Sequence, residues 1–151
     1  MRLAVLLSCL TAISFSACTT VASSNDKKTC QSDAVIMVVS GETLDRKRMG
    51  AYAAALAKSG IYPKTNGYYL NSPRPVDIFE GDVSESFVTL MVRFPSLEAA
   101  RTFWDSDVYQ SEIKPLRLNP SAGDYSVTVY KESDLPDYMQ GKVNSGQYIC
   151  E

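Results

Sequence analysis

Apolar residues run without a break through residues 34–39 (AVIMVV) and stop at Ser40-Gly41, the pattern of a strand covered on both faces inside a sheet. The spacing then changes. Beyond Thr43, read as an N-cap, Met49, Tyr52, Ala53, Leu56 and Ala57 return at helical intervals. Gly60 suits the left-handed position that ends such a helix, with Ile61 placed to pack back on Leu56. Prolines and an Asn66-Gly67 pair punctuate residues 62–75. A second strand drawn from Tyr68-Tyr69-Leu70 and residues 76–80 is therefore bulged or lies at an edge. Residues 81–85 read as a hairpin loop into a third strand over residues 86–94, where Val88, Leu90, Val92 and Phe94 alternate with Phe87, Thr89, Met91 and Arg93. Both sets are largely apolar, so both faces need cover. Ser96 caps a second helix with a stripe of Leu97, Ala100 and Trp104 and with Phe103 beside it. A short helix over residues 107–114 ends near Pro115, and residues 125–130 alternate as a fourth strand.

The resulting order is βαββαβ. Right-handed crossovers arrange it as an α+β, ferredoxin-like fold: an antiparallel sheet in the order 4-1-3-2 with both helices on one face, over residues 33–131, followed by a tail over residues 132–151. The helices cover only one side. Phe87, Met91 and alternate residues of the first strand call for a second layer, and a homodimer pressed sheet to sheet supplies it, closing a barrel with an internal cavity. The tail is the rival cover, less apt for its Pro, Gly and polar content.

Residues 1–17 carry Arg2, an uncharged stretch over residues 3–15 and then Ser16-Ala17 before Cys18. A helix of that stretch is roughly 20 Å long, short of the ~30 Å hydrocarbon core, so it reads as a signal peptide and not a span. Lipoprotein processing uses a cysteine at this place, which makes Cys18 the expected lipidation site and the membrane a partner through its acyl anchor. The alternative is a secreted or periplasmic soluble protein cut near Ala22. Residues 18–32 form a polar tether, and Thr19, lacking the aspartate of inner-membrane retention, directs the expectation to the outer membrane facing the periplasm. An oxidising compartment makes a Cys30–Cys150 disulfide the default, worth about 4–5 kcal/mol in the chain-entropy account; the ferredoxin-like topology brings both flanks to one end.

Composition narrows the chemistry. With 45% hydrophobic residues the chain can build one core, and a net charge of −2 without a long basic run argues against nucleic acid. There is no histidine, which removes Ser-His-Asp and Cys-His machinery and histidine-held metals. No phosphate loop, G-x-S-x-G elbow or C-x-x-C pair is present, and no cofactor is implied. The acidic turn Glu80, Asp82 and Glu85 reads as a solvated loop, not a metal site. What remains is an aromatic and cationic set: Tyr52, Tyr62, Trp104, Tyr109 and Arg117, with Arg93 on the face assigned to the barrel interior. Flat apolar walls and a planar cation suit a small acid. The plainer alternative makes Tyr52 and Trp104 core packing and pairs Arg117 with Glu80 or Asp82.

Residues 34–130 resemble the domain-of-unknown-function 1330 family of the dimeric α/β-barrel superfamily, which also holds antibiotic-biosynthesis monooxygenases. The resemblance is carried by Tyr52-Ala-Ala-Ala-Leu56, Tyr62-Pro-Lys64, Phe79-Glu-Gly-Asp82, Phe94-Pro-Ser-Leu-Glu-Ala-Ala100, Phe103-Trp104, Ser106, Tyr109-Gln110, Pro115-Leu-Arg117 and Gly123-Asp124. Asn66-Gly67-Tyr68 departs from it where relatives tend to carry Gly-Gly-Arg. The resemblance implies a ferredoxin-like protomer and a barrel dimer, and brings no reaction. Three functions stay open: an envelope lipoprotein that binds a small apolar-acidic ligand, a cofactor-free monooxygenase or isomerase acting on an aromatic or enolisable acid, and a structural dimerisation module.

Overall fold

The structure is a computed structural model and describes residues 33–139. The expected signal peptide, Cys18, the expected tether and both cysteines of the expected disulfide lie outside the described residues. Strand β1 (Val35–Thr43) is central. It pairs antiparallel with β3 (Phe87–Phe94) on one side and β4 (Gly123–Lys131) on the other. A two-residue β2 (Tyr68–Tyr69) adds to the outer edge of β3, giving the four-stranded order β2-β3-β1-β4 expected for a ferredoxin-like fold.

Alternation sorts the sheet into two faces. Val35, Met37, Val92 and Phe94 turn toward α1 (Arg46–Ser59) and α3 (Leu97–Trp104) and bury with Leu56, Ala100 and Phe103. Aromatic rings knit this core. Phe103 lies 5.4 Å from Phe94 and stacks on Tyr62 at 4.8 Å, the latter on α2 (Ile61–Lys64). Ile36, Val38, Phe87, Met91 and Tyr130 fall on the opposite, helix-free face.

Several boundaries differ from the sequence expectation, each for a local reason. Asp45, not Thr43, caps α1, its carboxylate accepting the Arg48 N–H at 3.0 Å; Thr43 stays in β1, its hydroxyl 2.6 Å from that of Tyr125. Gly60 takes the left-handed conformation, φ 63°, as expected. Residues 76–80 form no strand, and Val76 and Phe79 are fully exposed. Pro73 and Pro75 lack the N–H a ladder needs. Instead the Asn71 side chain imitates a strand for one step: Nδ2 donates to the Thr89 carbonyl and Oδ1 accepts the Met91 N–H, both at 2.8 Å. The expected hairpin into β3 is therefore absent, and Ser86 pairs through its carbonyl with the Thr43 N–H at 2.8 Å. In α3 the buried residues are Ala100 and Phe103; Leu97 is 44% exposed on the first turn, and Trp104 is half-buried. Finally, the short helix does not stop at Pro115. A π-helical segment (Val108–Ile113) runs into α4 (Lys114–Leu118), where proline occupies the first turn and its missing N–H is not needed.

Gly41 and Gly123 let β1 and β4 approach closely. Gly41 has φ 155°, and a Cβ there would collide with the Asp124 backbone carbonyl. Gly41→Ala is expected to lower unfolding free energy by about 2 kcal/mol or more. A denaturant midpoint unchanged from wild type would refute this.

Candidate functional site

Between α1 and the helix-facing side of the sheet lies a cavity of about 190 Å³. Its floor is made by alternate residues of three neighbouring strands, Val39 of β1, Val88 and Leu90 of β3, and Val127 of β4. Tyr52 projects from α1, Trp104 from the end of α3, and Tyr109 from the π-helical segment. Such wide turns recur at functional sites. Here the turn delivers Tyr109, Ile113 and then Arg117 of α4, residues four apart, to the buried side.

The cavity has two unlike ends. Tyr69 pairs at the level of Val92 and Met37, whereas Tyr125 lies opposite Gly41, toward the far end of β1. Tyr62 and Tyr69, rings in edge contact at 5.1 Å, mark the first end. Arg117 marks the second. Its guanidinium carbon sits 5.7 Å from the Tyr52 ring and 5.5 Å from the Tyr125 ring, and the residue is only 5% exposed. Its Nε is buried without a hydrogen-bond partner, and the guanidinium forms no ion pair among the described residues. A cation between two ring faces gains about 0.5–2 kcal/mol per ring, and no carboxylate lines the cavity beside it.

Hydroxyls complete it. Tyr52 and Tyr109 oxygens lie 3.3 Å apart, and Thr43 and Tyr125 oxygens 2.6 Å. Each pair uses one proton between its members and keeps one to donate. Burial drives the Tyr52 phenol well above its ordinary range, helped by the neighbouring Tyr109; Tyr62 is raised by burial and by Tyr69, and Tyr69 by burial. These phenols stay protonated. No Asp, Glu, Lys or Cys lines the cavity, so it presents donors and no base. Raised folded-state values also carry a sign for stability. Unfolded tyrosine ionises near pH 10 while the folded phenols do not, so stability is complete below about pH 10 and falls as pH climbs past it. In an alkaline titration at 295 nm, the last tyrosines are expected to ionise together with loss of circular dichroism; complete ionisation before unfolding would refute this.

Of the six residues singled out in the sequence, Tyr52, Tyr62, Trp104, Tyr109 and Arg117 meet in this cavity. Arg93 does not. Next to Val92 and Phe94 in β3, it alternates onto the helix-free face, where Nε and Nη2 each donate to a Glu132 carboxylate oxygen at 2.8 Å, a bond that raises its pKa. Glu80 and Asp82, the alternative partners of Arg117, stand in the exposed loop instead. The cavity also lies within one protomer, beneath α1, and not between two sheets. Thr43 and Tyr125 were missed: the first reads as a cap, while the second carried a usable signal, its alternation with Val127 on the helix-facing side of β4. Among the described residues no group of His, Cys, Asp and Glu gathers to hold a metal.

Solved structures are similar to the chain at low identity. A protein of unknown function from Rhodopseudomonas palustris is 15% identical, with a TM-score of 0.46 over 70% of this chain and 87% of its own. Candidate antibiotic biosynthesis monooxygenases are similar in the same measure. The one from Nitrosomonas europaea is 10% identical, TM-score 0.44, over 68% of this chain and 92% of its own. That from Caulobacter crescentus CB15 is 11% identical, TM-score 0.45, over 72% and 98%. No curated protein matches the chain. The sequence profile of the domain-of-unknown-function family DUF1330 matches residues 34–129, which take in β1 to β3, all but the last two residues of β4 and the whole lining of the cavity, and the chain belongs to that family.

Proposed function

We propose that this domain binds a small apolar acid in the cavity beneath α1 and holds it without turnover. The observation that carries the proposal is Arg117, a buried cation lacking an anion at one end of an otherwise apolar chamber. Size agrees: an apolar cavity of ~150 Å³ accepts benzene, so about 190 Å³ accommodates one ring with a carboxylate. Binding is favoured over cofactor-free oxygenation or isomerisation because the lining holds no carboxylate, amine or thiol to take a proton from carbon, and burial keeps the Tyr52 and Tyr62 phenols protonated.

The wider proposal is a homodimer tethered by an acylated Cys18 to the outer membrane, facing the periplasm, with Cys30 and Cys150 crosslinked. For the dimer, the support is the apolar helix-free face, where Met91 and Tyr130 are exposed. For the anchor, the support is the N-terminal sequence alone; no helix among the described residues is long and apolar enough to cross a membrane.

Trp104 is the single tryptophan and lies in the cavity wall, so its fluorescence reports occupancy. Benzoate is expected to change it saturably with a Kd of tens of micromolar, about −6 kcal/mol or roughly 0.7 kcal/mol per non-hydrogen atom. A flat response, with calorimetry equally silent, would leave the structural dimerisation module as the better reading.

A further inference from the structure

We infer that the cavity admits one negative charge only, seated at Arg117, so that it takes monoanionic ring acids and rejects dianions of the same shape. This rests on the binding proposal above and adds a rule of selection to it.

Arg117 is the only ionised side chain in the lining. The hydroxyls of Tyr52, Tyr109, Tyr125 and Thr43 surround it or adjoin its neighbours and add neutral donors at that end. A carboxylate placed there gains the charge and the exposed N–H donors of a guanidinium that lines the cavity. The opposite end offers nothing comparable. Leu90, Met37 and the rings of Tyr62, Tyr69 and Trp104 bound it, and its two hydroxyls, those of Tyr62 and Tyr69, are neutral and bond to each other. Lys114 approaches the outside of this end, its Nζ 5.0 Å from the Trp104 ring, but it does not line the cavity and already donates to Gln110 Oε1 at 2.9 Å. A second carboxylate at the far side of a ring would therefore lie in apolar surroundings without a cation. A neutral ring of equal size fares poorly too, because it leaves the guanidinium as it was.

The test compares near-isosteric ligands by calorimetry on the full chain: benzoate, 4-nitrobenzoate with one charge, and terephthalate with two. Terephthalate is expected to bind roughly 100-fold more weakly than 4-nitrobenzoate, or not measurably. Methyl benzoate, uncharged, is expected to bind at least about tenfold more weakly than benzoate. Terephthalate within threefold of 4-nitrobenzoate would overturn the selection rule and leave the binding site standing. Failure of every acid to bind would overturn both.

Discussion

Glu132→Ala is expected to cost about 3 kcal/mol of unfolding free energy, one of the two largest effects anticipated for a single side chain here. Glu132 takes two parallel N–H bonds from Arg93 at 2.8 Å each, and the two side chains are only 10% and 12% exposed. An exposed ion pair of the same length contributes ~0–1 kcal/mol, because water solvates either charge once the other is gone. Here the remaining guanidinium has little access to water, and removing one member of a buried pair typically costs about 3–5 kcal/mol. The lower end is appropriate because neither group is fully enclosed. Position adds to the argument: Glu132 is the first residue past β4, and its N–H continues the ladder onto the Ala34 carbonyl at 2.9 Å. The pair thus pins the start of the tail across the helix-free face to β3. Glu132→Gln retains an acceptor and should lose less. Urea unfolding monitored by circular dichroism measures both; a loss under 1 kcal/mol for the alanine variant would show the pair to behave as a surface contact. Benzoate binding should be unaltered in either, since the cavity lies on the other side of the sheet.

Arg93 also shows where sequence reasoning stops. Its face was legible, because strand alternation admits only two answers and the apolar partners of β3 fix which is which. Its role was not, because nothing in the order of residues says that a glutamate 39 positions later will lie beside it. The sheet order was equally legible, from a buried central run, an alternating third strand and two helical stripes. The second strand was legible in part: Tyr68-Tyr69 pairs at the edge as expected, but residues 76–80 add nothing to it, and the Asn71 side chain that extends the pairing by one step next to two prolines leaves no mark in the periodicity. A cavity was expected inside a sheet-to-sheet dimer; the one beneath α1, within a single protomer, was not foreseen, for a related reason. Both faces of β1 and β3 are apolar, so pattern alone shows that each needs cover. Which cover fits tightly and which leaves a void depends on how side-chain volumes meet across layers. Five of the six candidate residues nevertheless converge, because aromatic and cationic residues on helix faces turned to one side of one sheet have few other places to go.

Arg117→Met separates a binding residue from a structural one, because it is expected to hold stability while binding is lost. A core arginine that held the fold together would, on truncation, lose stability. Arg117 is instead a buried cation whose Nε lacks a partner and whose guanidinium lies over the rings of Tyr52 and Tyr125. Replacing buried ionic groups with hydrophobes of similar volume stabilises by about 1–4 kcal/mol in the better cases. Two ring contacts worth ~0.5–2 kcal/mol each are lost at the same time, so the two contributions nearly cancel. The methionine variant is expected to keep its stability to within about 1 kcal/mol, read as a denaturant midpoint close to that of wild type at unchanged slope. Benzoate affinity should fall by 100-fold or more, since the carboxylate would enter the same apolar chamber with its cation removed. Arg117→Lys supplies the control between these extremes. It keeps the charge and loses the planar fork, so the acid should bind still, more weakly than to wild type. A methionine variant that unfolds more readily and binds benzoate as before would assign Arg117 to the core, and leave the cavity as a packing defect between α1 and the sheet.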